Sequence, residues 1–181
     1  ITYPSPIETK RLADLISLHQ VNILLATPTF LRGYMKRIDP AQLKSLELIV
    51  TGAEKLPQNL ADAFEEKFVI RPMEGYGLTE TSPATNVNLP TPDPIENAHS
   101  IPAHLNGSVG QLLPGIAIRL TDPVTNAPVL INQPGIIILK GPNIFNGYLR
   151  DEKRSKEVLT NDGWFKTGDV GFMDADGFLH I

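Results

Sequence analysis

Apolar and polar positions in the first seventy residues switch between two periods. Leu12, Leu15, Ile16 and Leu18 fall near one helical face, which predicts a helix over 8–20. A short apolar run over 22–26 (NILLA) predicts a buried strand. Pro28 then fits a first helical position, and Leu31, Tyr34, Met35 and Ile38 follow at helical spacing until Asp39-Pro40 breaks the pattern. A second apolar run over 46–51 (LELIVT) predicts another buried strand. Pro57 opens a helix with Leu60, Ala63, Phe64 and Phe68 on its inner face, and 69–73 predicts a third strand. Strands alternating with helices in this way imply parallel βα units.

The pattern changes after Ser82. Residues 83–102 hold five prolines (Pro83, Pro90, Pro92, Pro94 and Pro102), a density that few regular elements survive, so this stretch reads as a long surface connection. Beyond Gly107, strand-like runs at 108–111, 116–121, 128–131, 135–140 and 170–173 are separated by Gly, Pro, Asn and Asp turns. One short helix over 151–159 is opened by Asp151. The expected fold class is α/β: a parallel βα subdomain over 1–102, followed over 103–181 by a small antiparallel β-barrel subdomain, with a sandwich as the alternative arrangement of the same strands. The apolar-polar alternation of Phe178-Leu179-His180-Ile181 reads as an unfinished strand, and the chain starts at Ile1, so a fragment of a longer protein is expected.

Composition narrows the classes. With 41% apolar and 20% charged residues, the 181-residue chain matches ordinary globular proteins. It has no cysteine, which excludes a disulfide framework and a thiolate zinc site. Lys+Arg 16 against Asp+Glu 20 leaves a formal net charge of −4, which argues against a nucleic-acid partner. The apolar runs are too short to span a bilayer.

Three segments carry candidate chemistry. In Glu74-Gly75-Tyr76-Gly77-Leu78-Thr79-Glu80, two glycines flank an aromatic directly after a strand, a setting for stacking on a planar ring. Thr79 and Glu80 add a hydroxyl beside a carboxylate, oxygen ligands that suit a phosphate and its Mg²⁺. A Gly-rich turn with a capping threonine accounts for the same residues. Thr51-Gly52-Ala53-Glu54 lies between a strand and a helix, where small residues let a ligand lie on backbone; an ordinary βα loop has the same look. In Gly163-Trp164-Phe165-Lys166-Thr167-Gly168-Asp169, Asp169 precedes a strand, where a carboxylate accepts vicinal hydroxyls or simply makes a turn. Asp174-Ala175-Asp176-Gly177 is out of register for a calcium loop and reads as a β-turn. Lys153, Arg154 and Lys156, interleaved with acids, read as a solvated helix face.

Taken together, EGYGLTETSP and WFKTGD, with GSVGQLLPG and KGPNIFNGYL between them, resemble the adenylate-forming (AMP-binding) enzyme superfamily of acyl-CoA synthetases, luciferases and peptide-synthetase adenylation domains. Within it, TYPSP, TGAEKL and KGPNIFNGYLRDEK look most like the synthetase part of 2-acylglycerophosphoethanolamine acyltransferase/acyl-[acyl-carrier-protein] synthetase. The resemblance implies an ATP- and Mg²⁺-dependent ligase. It would activate a fatty or other carboxylic acid as acyl-adenylate, then pass it to the thiol of acyl-carrier protein or CoA. It places Tyr76, with its neighbours Gly75 and Gly77, on adenine, Gly52, Ala53 and Glu54 along the other side of the ring, and Glu74 near the adenine amino group. Thr79 would contact the α-phosphate, Glu80 would bind Mg²⁺, and Asp169 would take the ribose hydroxyls. Thr27, Pro28 and Phe30 fall where relatives line the acyl pocket.

Other parts of the family pattern have no counterpart here: the upstream phosphate loop ending in Lys, and the C-terminal domain with its catalytic Lys. The resemblance therefore implies no adenylation by these residues alone. It implies a cytoplasmic protein, or one attached to the cytoplasmic face of a membrane. Two other readings stand beside it: an acyl-CoA synthetase without a phospholipid link, and a relative that binds nucleotide or acyl groups without catalysis.

Overall fold

The computed structural model describes residues 3–90 and 102–181. The chain divides into two compact units, Ile1–Glu74 and Gly75–Ile181.

The first unit is built from helices α1 (Thr9–His19), α2 (Pro28–Arg37) and α3 (Gln58–Phe68), with strands β1 (Ile23–Ala26), β2 (Leu48–Thr51) and the start of β3 (Pro72–Tyr76). β1 pairs with β2 and β2 with β3, both parallel, as the alternating pattern requires. Thr27 caps α2 by accepting from Phe30 N at 3.4 Å, and Pro28 occupies its first turn. Lys67 Nζ reaches across from α3 to the Met35 and Ile38 carbonyls at 2.7 and 3.1 Å, partnering groups that the end of α2 leaves open. Ala13, Ile16, Leu31, Tyr34, Ile49 and Phe64 form the centre of the core.

Three expectations shift. The strand expected to be buried over 22–26 leaves Ile23 and Leu25 exposed, with only Leu24 buried. Leu18 is 73% exposed, because the inward face of α1 runs through Thr9, Ala13 and Ile16, on the opposite side of the helix from it. The third strand starts at Pro72 rather than at residue 69. Val69 ends α3 in the left-handed region (φ 59°), its N–H bonded to Glu65 O, and its side chain is 90% exposed.

In the second unit, the Gly75–Tyr76 end of β3 pairs antiparallel with β4 (Asn86–Val87), and β4 with β5 (Gln111–Leu112). Strands β6 (Ala117–Thr121), β7 (Gly135–Lys140), β8 (Phe165–Met173) and β9 (Leu179–His180) make an antiparallel sheet in that order, around Ile137, Leu139 and Leu179. Its strand order ends on β6 and β9, so it is a half-barrel rather than a closed one. Helix α4 (Glu152–Val158) is capped by Asp151, which accepts from Arg154 N. Lys153, Arg154 and Lys156 are exposed, as a solvated face requires. The 174–177 turn closes with Gly177 N bonded to Asp174 O.

The described part of the Pro-rich stretch departs from the surface connection expected. Thr85 and Asn86 are fully buried, and Asn86 Nδ2 donates to Gly110 O at 3.2 Å. Asn88 is buried too, donating to Ser108 O and accepting from Leu105 N. β4–β5 pairing ties both sides of this stretch into one unit, and the units divide at Glu74/Gly75 rather than at the expected 102/103. Pro92 and Pro94 lie outside the described residues. The run at 128–131 contributes only a bridge from Pro128 to Thr121, with Leu130 and Ile131 exposed. The run at 108–111 splits: Val109 and Gly110 bond to Leu179, and β5 begins at Gln111.

Candidate active site

In the first unit, the loop after β2 carries Gly52, Ala53 and Glu54, with Ala53 in the left-handed region (φ 66°) and exposed. Glu54 Oε2 accepts from Thr29 Oγ1 at 2.8 Å. At the other end of this loop, Leu56 N donates to Glu74 Oε1 at 2.9 Å, so the carboxylate in the middle of β3 staples the loop to its neighbouring strand. Glu74 is 8% exposed; burial raises its carboxyl above the ordinary value, and the Leu56 N–H and Lys55 charge offset this only in part. Thr27 caps α2, Pro28 begins it, and Phe30 packs against the core.

In the second unit, Tyr76 and Asp169 meet. The Tyr76 hydroxyl donates to Asp169 Oδ2 at 2.7 Å, joining residues 93 positions apart. Burial first, and then this bond, raise the Tyr76 hydroxyl well above the ordinary phenol value, so it stays a donor. A β-bulge produces the meeting. On β8, Lys166 faces Ile138 and Val170 faces Ile136, which leaves Thr167, Gly168 and Asp169 against Ile137 alone. Gly168 takes φ 85°, which favours glycine. Thr167 Oγ1 donates to Ile137 O at 2.8 Å and accepts from Asp169 N at 3.0 Å, holding the bulge shut. Asp169 therefore lies inside a strand rather than before one, re-aimed by the extra residues.

Thr79 and Glu80 lie on a 3₁₀ turn, Thr79–Thr81, that follows β3. Thr81 Oγ1 accepts from Leu78 N at 2.8 Å and lies 3.1 Å from Pro83 O, folding the turn back on itself. Gly77 permits that fold, since a Cβ there would sit 2.0 Å from Pro83 O. Thr79 is exposed and Glu80 half-buried. Glu80 Oε1 accepts from the Tyr148 hydroxyl at 2.7 Å, which raises the Tyr148 hydroxyl above the ordinary phenol value. Tyr148 and Thr167 carried no role in the sequence reading. Both stand in the quoted segments KGPNIFNGYL and WFKTGD, but only the three-dimensional pairing singles them out.

Mg²⁺ commonly takes one or two protein carboxylates and completes its octahedron with substrate phosphate and water. Glu80 fits that pattern as a single half-buried carboxylate. Among the described residues no group of three or more His, Asp or Glu is arranged to hold a metal.

Residues 1–149 match the family described as AMP-binding enzyme. The chain belongs to that family. Members similar to it include the probable 4-coumarate–CoA ligase 2 of Dictyostelium discoideum, 35% identical over 96% of this chain and 30% of that protein. A peroxisomal OPC-8:0-CoA ligase 1 of Arabidopsis thaliana is 29% identical over 98% of this chain and 32% of that protein. Among solved structures, apo MatB from Rhodopseudomonas palustris superposes with a TM-score of 0.79 at 29% identity, covering 96% of this chain and 32% of that one. An anthranilate CoA ligase, AuaEII, in complex with anthranoyl-AMP shares the fold with a TM-score of 0.82, at 24% identity over 99% of this chain and 33% of that one. The chain thus spans about a third of the length of these AMP-binding relatives. The two named sequence relatives are CoA ligases, which differ from the acyl-carrier-protein synthetase suggested by the sequence segments.

Proposed function

We propose that this chain is the nucleoside-binding part of an AMP-forming acid–thiol ligase. The carboxylate of the acid attacks the α-phosphate of ATP, the bond to pyrophosphate breaks, and an acyl-adenylate forms. The thiol of CoA then attacks the acyl carbonyl and AMP leaves. The observation that carries this reading is the 2.7 Å bond between Tyr76 and Asp169, which brings together two motifs 93 positions apart in the sequence.

Each residue has a task. Tyr76 offers its ring to adenine while its hydroxyl holds Asp169. Asp169 accepts the ribose hydroxyls with the lone pairs that Tyr76 leaves. In the first unit, Glu74 fixes the Gly52–Glu54 loop through Leu56 N. Thr79 donates to the α-phosphate from an exposed position. Glu80 would hold Mg²⁺, which offsets phosphate charge when bound. The protein's contribution is chiefly positioning and electrostatics.

CoA is the favoured thiol, because the relatives are CoA ligases. The segments TYPSP, TGAEKL and KGPNIFNGYLRDEK favour a second reading, a fatty acid passed to acyl-carrier protein. The test uses the intact enzyme containing this chain, aromatic and fatty acids, and both thiols. Acid-dependent pyrophosphate exchange followed by thioester formation with CoA supports the first reading, and thioester on the carrier protein alone selects the second. No exchange with any acid, despite ATP binding, refutes both.

A further inference from the structure

The segment between β7 and α4 grips the Glu80 turn at four points. Asn143 Nδ2 donates to Thr81 O at 2.6 Å and to Ala84 O at 2.9 Å. Phe145 N donates to Glu80 O at 2.9 Å, and the Tyr148 hydroxyl donates to Glu80 Oε1 at 2.7 Å. The backbone and the side chain of Glu80 are thus held from the same short stretch.

Tyr148 is itself held by several contacts. Its N–H donates to Ser155 Oγ at 2.8 Å, and Ser155 Oγ donates to Asp151 O at 2.7 Å, tying it to the first turn of α4. Its ring packs edge-on against Phe145, with centroids 4.9 Å apart, and Phe145 packs likewise on Phe165. The Arg154 guanidinium lies 4.5 Å over the Tyr148 ring. A tyrosine so confined has little freedom to do anything but hold its hydroxyl where it is.

We infer that Tyr148 is a positioning residue, which fixes one oxygen of Glu80 so that the other is presented in a single orientation to the divalent cation of the nucleotide. The inference rests on the ligase reading given above. A free glutamate loses side-chain entropy when it is immobilised on a metal; a glutamate already held by a hydroxyl has less to lose. The ring contacts of Tyr148 need no hydroxyl, so Tyr148→Phe removes the grip while leaving the packing.

The test compares wild type, Tyr148→Phe, Ser155→Ala and Glu80→Gln in the intact enzyme. Mn²⁺ binding is read by electron paramagnetic resonance with a non-hydrolysable ATP analogue, alongside the Mg²⁺ dependence of pyrophosphate exchange. Tyr148→Phe should weaken Mn²⁺ binding and raise the half-saturating Mg²⁺ by roughly tenfold, the scale of one hydrogen bond to a charged group. Ser155→Ala should move both in the same direction by less. Melting temperature without metal, and thioester formation from supplied acyl-adenylate, should stay near wild type for Tyr148→Phe. Unchanged metal dependence in Tyr148→Phe, while Glu80→Gln is impaired, overturns the inference and leaves the ligase reading standing. Tighter Mn²⁺ binding in Tyr148→Phe also overturns it, since the hydroxyl would then compete with the cation. Wild type that supports no exchange with any acid fails the ligase reading instead.

Discussion

Asp169 answers to two partners, the Tyr76 hydroxyl and the proposed ribose, and the two are separable by substitution. Asp169→Ala removes both contacts; with hydrogen bonds to a charged group at about 1.5–3 kcal/mol each, ATP recognition should weaken by roughly 10²-fold or more. Tyr76→Phe keeps the ring and frees the carboxylate, so the KM for ATP should rise by less, roughly three- to tenfold. Steady-state kinetics in the intact enzyme checks both, and equal effects would mean that aiming Asp169 is the whole role of the pair. Glu74 makes a separate case. Its folded-state carboxyl is raised by burial, so the native state binds the extra proton, and stability falls as pH rises from the ordinary carboxylate range through the raised value. Glu74→Gln keeps an acceptor for Leu56 N without the charge, so its stability relative to wild type should improve between pH 4 and pH 7. Glu74→Ala should cost about 1–3 kcal/mol by orphaning that N–H. Urea unfolding at the two pH values decides, and a pH-independent difference for Glu74→Gln would refute the burial argument. The residue types at this site were legible in the sequence, because glycines around a tyrosine and an aspartate after a glycine are unusual locally. The bond between Tyr76 and Asp169, and the inward turn of Glu74, were not, since both depend on contacts made far along the chain.

Among the elements, the helices followed the sequence most closely. α2 keeps its Pro start and its Leu31, Tyr34 and Ile38 face, because cap and periodicity agree there. Strands were harder to place. At 69–73 the apolar letters suggested a strand, but Val69 is spent on ending α3, which displaced β3 to Pro72–Tyr76. At 128–131 apolar residues stay exposed, and at 85–88 polar ones are buried because neighbouring carbonyls satisfy their amides. The bulge in β8 leaves little trace in sequence beyond Gly168. Gly77 shows how tightly the following turn is folded. Gly77→Ala forces a Cβ against the Pro83 backbone, and overpacking of this kind costs about 1–3 kcal/mol. A melting temperature equal to wild type would show that the turn gives way easily. The Asp174 turn between β8 and β9 offers a pH counterpart. Burial pushes its carboxyl up, but the His180 ring at 2.9 Å and the Phe178 and Asp176 N–H groups outweigh this and hold it below the ordinary value. A depressed folded-state value stabilises above the unfolded carboxylate value, and that stabilisation is lost as pH falls through the folded one. Asp174→Asn should therefore lose stability at neutral pH and show a shallower decline into acid, measured by thermal melting across pH; an unchanged slope would contradict this.

For the molecule as a whole, family membership and the βα-then-antiparallel order were legible because they rest on motif order and on long patterns. The division into units was not, because it cuts EGYG between Glu74 and Gly75, inside a strand. The motif therefore serves both units: Glu74 braces the loop of the first, and Tyr76 holds Asp169 in the second. The chain covers about a third of its relatives' length, so the proposed chemistry is tested in an intact enzyme carrying these residues. The most direct measurement is radiolabelled pyrophosphate exchange into ATP by that enzyme, across a panel of carboxylic acids, for wild type and Asp169→Ala side by side. The account predicts exchange that requires an acid, with the KM for ATP raised roughly 10²-fold in Asp169→Ala. Exchange with no acid of the panel, or an ATP dependence that Asp169→Ala leaves unchanged, would contradict it.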